Sequence, residues 1–527
     1  MSQQVYVYDC TLRDGTQGED VSLSVVDKIR IAQRLDEFGV HYIEGGWPGS
    51  NPTDVEFFKR AASLKWDNSK ICAFGSTRHF KNRVDQDPNL EALLDAQTPV
   101  LTIVAKSWDF HVEKALGIAL DENLTLIREI LSYLKGQGKE IVFDAEHFFD
   151  GHAGNQEYAL RVLEVAQNAG ADWIVLCDTN GGALPATVHR VTQEVISRFD
   201  QVGIHTHNDC ELGVANTIAA VEAGAVMVQG TVNGLGERTG NANLTSILPI
   251  LDLKMENCTG IGVDALRQLA SVSHFVGEIA NIAIPHNLPF VGNSAFAHKG
   301  GIHVSALMKD ERTYEHMDPS TVGNSRRVLI SDLAGKSSLN YKLREFGLEP
   351  ESIDLGALLA RIKELEFEGS QFEGADASLK LLVREFGEHK GDPFEFTGFR
   401  VFIDQVSGEF LSEATVKVSV EGSEEHTAAD GNGPVDALDR AIKKAVTRFF
   451  PEVEKIRLID YKVRVLDGRE GAAARVRVLI ESTDGIESWS TVGVSHNVIE
   501  ASWRAITDSL LYKLVFLPAG GSSTLGQ

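Results

Sequence analysis

Two histidines one residue apart, His205 and His207, carry the sharpest chemical signal in this chain of 527 residues. On a β-strand, residues i and i+2 face the same side, so both imidazoles would point together. Two imidazoles with one carboxylate from a neighbouring strand form a site for a divalent metal ion. Asp14 is the candidate carboxylate, and the amide oxygen of Asn241 could add a ligand. We therefore predict a site for Mn, Zn, Co or Mg; the alternative is two core histidines bonded to the backbone.

Polar residues that end other apolar segments add candidate groups near this metal site. Arg13 stands beside Asp14 and could stabilise an oxyanion, or it could form a salt bridge, for example to Glu44. Thr179 could donate a hydrogen bond to a substrate carboxylate or cap the following helix. Glu146 could act in acid–base chemistry or orient another ligand. If these residues had only a structural role, each polar group would need a hydrogen-bond partner in mostly apolar surroundings. We therefore favour the functional interpretation.

A second polar cluster lies later in the chain, where His298 and His303 flank two glycines and Tyr314 follows. Histidines beside glycines in a loop are typical of a functional loop. One of them could act as a general base, because neutral histidine suits proton transfer near pH 7. The alternative is a pair of ordinary surface histidines.

The elements that must position these residues alternate between short apolar segments and longer amphipathic ones. Eight apolar segments, read as buried parallel strands, precede residue 258: 5–8, 41–44, 71–74, 100–104, 140–143, 173–177, 202–205 and 226–230. This alternation is typical of an α/β fold, the (β/α)8 TIM barrel, whose strands end at one functional mouth. An open doubly wound sheet is the alternative, but it would carry a glycine-rich turn where this chain reads Asp9 to Gly15.

The pattern of the chain changes twice after the barrel. We predict three domains, at 1–258, 259–395 and 396–527. The second is mostly helical, and the third is an α+β domain. Alternating apolar residues there predict strands at 399–403, 415–420, 458–465 and 475–481, and helices at 435–450 and 498–514. Thr427 and Ala441 have equivalents in Thr491 and Ala505, which indicates an internal repeat of strands followed by a helix.

Composition excludes several classes of partner. With 50 Lys and Arg against 75 Asp and Glu, the net charge is −25, which argues against binding nucleic acid or an anionic membrane. The five cysteines are scattered and form no C-x-x-C pair, which fits a reducing compartment. We see no signal peptide and no apolar run of the ~20 residues that a membrane helix needs. We therefore expect a cytoplasmic protein.

Three motifs in order resemble the family of 2-isopropylmalate, homocitrate and citramalate synthases. They are the segment 9–17, the His205-x-His207 strand and the segment 233–241. The resemblance covers nearly the whole chain, including a C-terminal part similar to that family's regulatory dimer domain. Within the family, segments 16–21 and 42–52 are most similar to the longer citramalate synthases. One departure is the segment 240–244, which lacks a cysteine that many relatives carry but keeps Asn241.

The resemblance implies an acyltransferase that condenses acetyl-CoA with pyruvate and water to give (R)-citramalate and CoA in isoleucine biosynthesis. The reaction would use a metal-chelated 2-oxo acid and the enolate of acetyl-CoA. Close alternatives are 2-isopropylmalate synthase, which uses 2-oxoisovalerate for leucine, and homocitrate synthase. Two alternatives come from other classes of protein. One is a metal-dependent aldol lyase, but such a lyase needs no C-terminal regulatory domain. A non-catalytic amino-acid sensor would not need the intact metal and arginine positions.

The resemblance also assigns the metal ligands and the neighbouring arginine. Asp14, His205 and His207 match the family's metal ligands, with Asn241 as a fourth. Arg13 matches the arginine that steadies the developing alkoxide.

Further residues match positions that contact the two substrates. Thr179 matches the threonine that holds the keto-acid carboxylate, and we expect Glu44 to contact substrate. Glu146 matches a glutamate near the acetyl group. His303 matches the histidine proposed to take the methyl proton, with Tyr314 alongside it. In the family these last two residues come from the partner subunit, so the resemblance implies a homodimer with shared active sites that helical subdomains complete. It also implies that an end-product amino acid is the effector.

Overall fold

Eight parallel strands close into a barrel in the computed structural model, which describes residues 4–255, 259–387, 391–406, 409–466 and 473–517. The barrel strands are Tyr6–Asp9 (β1), Tyr42–Gly46 (β2), Lys70–Ser76 (β3), Val100–Lys106 (β4), Glu140–Glu146 (β5), Trp173–Asp178 (β6), Val202–Thr206 (β7) and Met227–Gly230 (β8). Because β8 pairs with β1, the sheet has no edge. The predicted TIM barrel is therefore confirmed, and the open-sheet alternative is wrong. The predicted boundary at residue 258 lies outside the described residues.

Helices follow the barrel strands along the chain. They are Val25–Phe38 (α1), Pro52–Ala61 (α2), Pro88–Asp95 (α3), Asp109–His111 (α4), Leu120–Gly136 (α5), Phe148–Gly154 (α6), Gln156–Asn168 (α7), Pro185–Ile196 (α8), Gly213–Glu222 (α9), Leu244–Leu253 (α10), Val263–Leu266 (α11) and Leu269–Ala280 (α12). The ends of α1 show how the sequence sets such a helix. Ser24 and Asp27 form a capping box at its start, and Gly39, with a φ of 95°, ends it in the left-handed conformation. Ile31 and Leu35 of α1 are buried in the core of the barrel domain.

The chain divides into two compact units, Met1–Phe296 with Met317–Arg326, and Ala297–His316 with Arg327–Gln527. The second unit contains Ala297–His298 (β9), Gly301–Leu307 (α13), Arg327–Val328 (β10), Lys336–Glu345 (α14), Leu355–Phe367 (α15), Asp376–Glu385 (α16), Glu395–Val406 (β11), Glu409–Val420 (β12), Ser423–Gly431 (β13), Pro434–Thr447 (α17), Arg457–Val465 (β14), Val476–Thr483 (β15), Ser488–Ser495 (β16) and Val498–Phe516 (α18). None of the helices in the described part of the chain combines the length and apolarity required to span a bilayer.

Two antiparallel three-stranded sheets, β11-β12-β13 and β14-β15-β16, form the predicted C-terminal α+β region with α17 and α18. The sequence predicted two strands in each sheet but missed the third, β13 and β16. These strands lack the alternation of large apolar residues on which the prediction depended. β13 reads Ser-Glu-Glu-His-Thr-Ala-Ala-Asp-Gly, and β16 is rich in serine. Backbone pairing holds both strands in their sheets; β13 has few strand-favouring side chains, whereas β16 has Trp489, Thr491, Val492 and Val494 without a regular alternation.

The predicted internal repeat appears as two equivalent hydrogen bonds. Thr427 on β13 donates its hydroxyl to the carbonyl oxygen of Ala441 on α17 at 2.7 Å. Thr491 on β16 donates to the carbonyl oxygen of Ala505 on α18, also at 2.7 Å. Each threonine therefore ties the third strand of its sheet to the helix that follows it.

Asp508 on α18 joins this region to α16, because its carboxylate accepts a hydrogen bond from Ser378 Oγ at 2.6 Å. Burial raises the pKa of Asp508 from 3.8 to about 7. The folded state therefore favours the protonated acid. The proton on Asp508 therefore contributes fully to the free energy of unfolding below pH 3.8, the pKa of this group in the unfolded chain. This contribution is lost as the pH rises through about 7.

We expect Asp508→Asn to raise the free energy of unfolding at pH 8 by roughly 1–3 kcal/mol, with little change at pH 4. The amide carries no charge to bury, and its oxygen can still accept from Ser378. Urea denaturation of the full chain at both pH values measures the effect. Asp404→Asn, which changes an exposed carboxylate, is the matched control. An equal change at both pH values would contradict the assignment.

Candidate active site

Three side chains of metal-ligand type converge at the mouth of the barrel. His205 lies near the end of β7, His207 follows that strand, and Asp14 follows β1; all three are buried. One ligand atom from each lies within 4.8 Å of the others. His205 Nε2 is 3.3 Å from His207 Nε2 and 3.8 Å from Asp14 Oδ2. The arrangement follows from strand order, because β8 brings β7 close to β1.

The residues present fit a divalent cation. Asn241 donates from Nδ2 to Asp14 Oδ1 at 3.0 Å, and a bridge between Asn241 and His207 holds it beside the cluster. Asn241 Oδ1 is buried and has no hydrogen-bond partner among the described residues. Such buried orphan atoms are rare and costly unless a ligand satisfies them. A set of two imidazoles, a carboxylate and an amide oxygen suits the borderline and hard metals of the first row and Mg²⁺.

The charge states of the cluster also suit a cation. Burial alone would raise the pKa of Asp14, but the guanidinium of Arg13 and the two histidines hold it well below its usual value. Burial, reinforced by the neighbouring His205, lowers the pKa of His207 from 6.5 to about 4. At neutral pH the carboxylate is therefore charged and the His207 ring is neutral, which is the state a metal ligand requires.

Arg13 is clamped on three sides. Its Nε donates to Glu44 Oε2 at 2.6 Å, and Nη1 donates to Asp14 Oδ2 at 2.8 Å. The guanidinium carbon lies 3.8 Å from the centre of the Phe74 ring, in cation–π geometry. The salt bridge that the sequence left open is therefore present. Arg13 nevertheless still faces the cavity at the barrel mouth.

Glu44 is placed differently from the sequence expectation of a substrate contact. It is fully buried beneath Arg13 and is not among the residues that line the cavity. One carboxylate oxygen binds Arg13 and the other accepts from the hydroxyl of Tyr8 at 2.9 Å. Because Glu44 is the middle residue of β2 and its side chain is buried inside the barrel, it contacts the arginine from below.

One cavity of about 1130 Å³ brings six of the predicted residues together: Arg13, Asp14, Glu146, Thr179, His205 and His207. Its wall combines aromatic rings with basic side chains: Trp47, Phe74, Phe80, Arg78, Lys106 and Arg238. An apolar wall with a few polar groups is typical of a ligand site, and pockets for drug-sized ligands measure about 300–1,000 Å³. This cavity has room for a ligand much larger than a small acid.

Thr179 and Glu146 reach this cavity from β6 and β5. Thr179 Oγ1 accepts from the backbone N–H of His147 at 2.9 Å, so its own hydroxyl hydrogen is available for a ligand. It does not cap the following helix, because Leu184 is the N-cap residue of α8. Glu146 forms an ion pair with Lys106, which ends β4 beside it.

His303 and Tyr314 belong to the second unit, whereas the metal-ligand cluster belongs to the first. His303 lies on the short helix α13, and its ring stacks on the ring of Tyr314 with centroids 4.2 Å apart. Both side chains are exposed. His298, the other histidine of this segment, is 3.2 Å from Glu315 through Nε2 and Oε1.

The sequence did not point to three residues of the site: two contact predicted site residues, and the third contacts one of these two. Lys106 pairs with Glu146, and its position at a strand end was the available signal. Gln229 on β8 accepts a hydrogen bond from His205, and Asp144 on β5 contacts Gln229. Gln229 and Asp144 are polar residues inside buried barrel strands, and this position was the signal available in the sequence.

Three family profiles match successive parts of the chain. The profile described as HMGL-like matches residues 4–276, which is more than half of the chain. The homocitrate synthase post-HMGL domain-like profile matches residues 290–370. The LeuA allosteric (dimerisation) domain matches residues 373–514.

Relatives are similar over almost their whole length. The (R)-citramalate synthase of Aquifex aeolicus is 56% identical over 522 residues, covering 98% of this chain and 98% of the relative. That of Geobacter sulfurreducens is 54% identical and covers 97% of each chain. That of a Synechocystis species is 47% identical, covering 98% of this chain and 97% of the relative. This chain therefore belongs to the (R)-citramalate synthase family.

Proposed function

We propose that this protein condenses acetyl-CoA with pyruvate and water to give (R)-citramalate and CoA. The observation that carries the proposal is the buried cluster of Asp14, His205 and His207, with Arg13 beside it, in one cavity of a family member. The choice of pyruvate as acceptor is supported by full-length relatives named (R)-citramalate synthase.

In this proposal Asp14, His205 and His207 hold a divalent cation, and Asn241 Oδ1 completes the ligand set. When bound, such a cation supplies Lewis acidity to the ketone and carboxylate oxygens of the 2-oxo acid. The role of the protein is to bring together the ligand atoms of Asp14, His205 and His207 before the cation arrives.

Arg13 is the group that stabilises the alkoxide formed when the new carbon–carbon bond closes. Its guanidinium has five N–H donors, of which one binds Glu44 and one binds Asp14. The donors that remain can turn to a substrate oxygen without reorganisation, because the clamp already holds the plane of the group. Thr179 donates its hydroxyl hydrogen to the substrate carboxylate, and Glu44 positions Arg13.

The acetyl group needs a base that removes a proton from its methyl carbon. We assign the base to His303, whose ring takes a proton from the acetyl methyl group, with Tyr314 stacked against it. Glu146, paired with Lys106, lies at the cavity where the acetyl group meets the 2-oxo acid. The methyl carbon then attacks the ketone carbon, the alkoxide takes up a proton, and water cleaves the thioester to release CoA.

We propose that the chain has three functional parts, at 1–258, 259–395 and 396–527, which serve catalysis, completion of the active site and control. We propose that the protein is a homodimer through its LeuA allosteric (dimerisation) domain, and that His303 and Tyr314 complete the active site of the partner subunit. We propose isoleucine, the end product of the pathway, as the effector of the last domain.

Release of thiol from acetyl-CoA tests the proposed reaction. The metal-loaded protein is assayed in parallel with pyruvate, 2-oxoisovalerate and 2-oxoglutarate. We expect kcat/KM for pyruvate to exceed the others at least about tenfold, because each added methylene or carboxylate must fit the same pocket. Preference for 2-oxoisovalerate or 2-oxoglutarate would replace the proposed substrate but keep the reaction type. No release with any acid would refute the reaction.

A further inference from the structure

Gln229 is a fully buried amide on β8, and both ends of its side chain are bonded. Its Oε1 lies 2.8 Å from Nδ1 of His205, its direct neighbour in the β7–β8 pairing. Its Nε2 donates to Asp144 Oδ1, on β5, at 3.0 Å. A chain of two hydrogen bonds thus runs from His205 through the amide to a carboxyl group in the barrel interior.

The direction of this chain fixes the state of the His205 ring. An amide oxygen can only accept, so the hydrogen of the neutral ring sits on Nδ1. The lone pair is then on Nε2, which is the nitrogen that faces Asp14 and His207. In this orientation an oxygen of Asp144 accepts the hydrogen of the amide nitrogen.

The carboxyl group at the end of this chain favours its protonated form at neutral pH. Burial, with a further contribution from nearby Glu44, raises the pKa of Asp144 to about 8. His205 is therefore supported by a neutral amide rather than by the carboxylate that often supports metal-binding histidines. A neutral acceptor fixes the ring but adds less to its basicity than a carboxylate would.

We infer that Gln229, braced by Asp144, is a positioning residue that presets the tautomer and orientation of His205 for metal binding. The inference rests on the proposed function, in which His205 is a metal ligand. The competing explanation is that Gln229 only satisfies polar groups of the core. Loss of the amide would then lower stability but leave metal affinity unchanged.

Binding of Co²⁺ to the full-length, metal-stripped protein separates these explanations. Gln229→Met keeps the length of the side chain and removes its oxygen. We expect it to weaken Co²⁺ binding by about 10–100-fold, the usual effect of losing a partner of a metal-binding histidine. We also expect the visible absorption spectrum of the Co²⁺-bound Gln229→Met protein to differ from that of the Co²⁺-bound parent, because His205 can rotate. Gln229→Glu keeps an acceptor oxygen and is expected to bind Co²⁺ at least as tightly as the parent protein.

Asp144 is tested by a second pair of variants. Asp144→Asn can still accept from Gln229 and is expected to stay within about threefold of the parent affinity. Asp144→Leu removes the brace and is expected to weaken binding about tenfold. Parental affinity in Asp144→Leu would remove Asp144 from the inference.

The outcomes distinguish failure of this inference from failure of the proposed metal site. His207→Ala must abolish tight Co²⁺ binding; if it does not, the proposed site itself is wrong. If it does, but Gln229→Met binds within threefold of the parent, the positioning role is overturned. Equal weakening in Gln229→Met and Gln229→Glu would overturn it too, because the glutamate retains the acceptor. Thermal unfolding of each metal-free variant confirms that affinities are compared between folded proteins.

Discussion

Replacing His207 by alanine is expected to lower kcat by more than about 10³-fold and to abolish tight metal binding. The lost imidazole is one of the three convergent ligand groups, and Lewis-acid activation contributes several kcal/mol to such a reaction. The metal content of the dialysed protein and thiol release from acetyl-CoA with pyruvate are the two measurements. The loss should not reverse at higher metal concentration if the site needs both histidines.

His274→Ala is the matched control for this experiment. His274 is an exposed histidine on α12, in the same unit of the protein. Its removal should leave metal content and turnover at parental values. A His207→Ala protein that keeps its metal and its rate would show that His207 is a buried core histidine, which is the interpretation that the spacing alone left open.

The convergence of Asp14, His205 and His207 could be predicted because the histidine pair is local in sequence and the strand order of a barrel brings Asp14 to it. The period of two along a strand places His205 and His207 on one face. Closure of the barrel leaves only β8 between β7 and β1. Asp14 follows β1 and so arrives beside them. The strand-end rule for TIM barrels supplied the rest, including Glu146 and Thr179 at the cavity.

Contacts inside the barrel could not be predicted in the same way. Glu44 contacts Tyr8, and Gln229 contacts Asp144, across distances that depend on the register and twist of several strands. The sequence offered the contact of Glu44 with Arg13 only as one of two alternatives. Sequence reports only that a polar residue ends or interrupts an apolar segment. Whether it faces substrate or another side chain is decided by packing, and for Glu44 packing places it beneath the arginine.

Replacing Arg13 by glutamine is expected to reduce kcat with pyruvate by about 10²–10³-fold, the usual effect of removing an oxyanion donor. It should also destabilise the fold by about 3–5 kcal/mol, because Glu44 is left as a buried charge without its partner. Steady-state kinetics and urea denaturation measure the two effects separately. Arg13→Lys should recover little activity, because an ammonium group cannot form the planar fork that Glu44 and Phe74 hold.

The double variant Arg13→Gln with Glu44→Gln separates catalysis from stability. Without a carboxylate at position 44, Asp14 is the one former partner of Arg13 that keeps its charge, and the amide oxygen at position 44 can still accept from Tyr8. We therefore expect most of the lost stability to return while kcat stays as low as in Arg13→Gln. Recovery of activity together with stability would mean that the guanidinium only neutralises Glu44. Stability regained without activity would instead leave the guanidinium as the group that acts on the substrate, with Glu44 and Phe74 holding it in place.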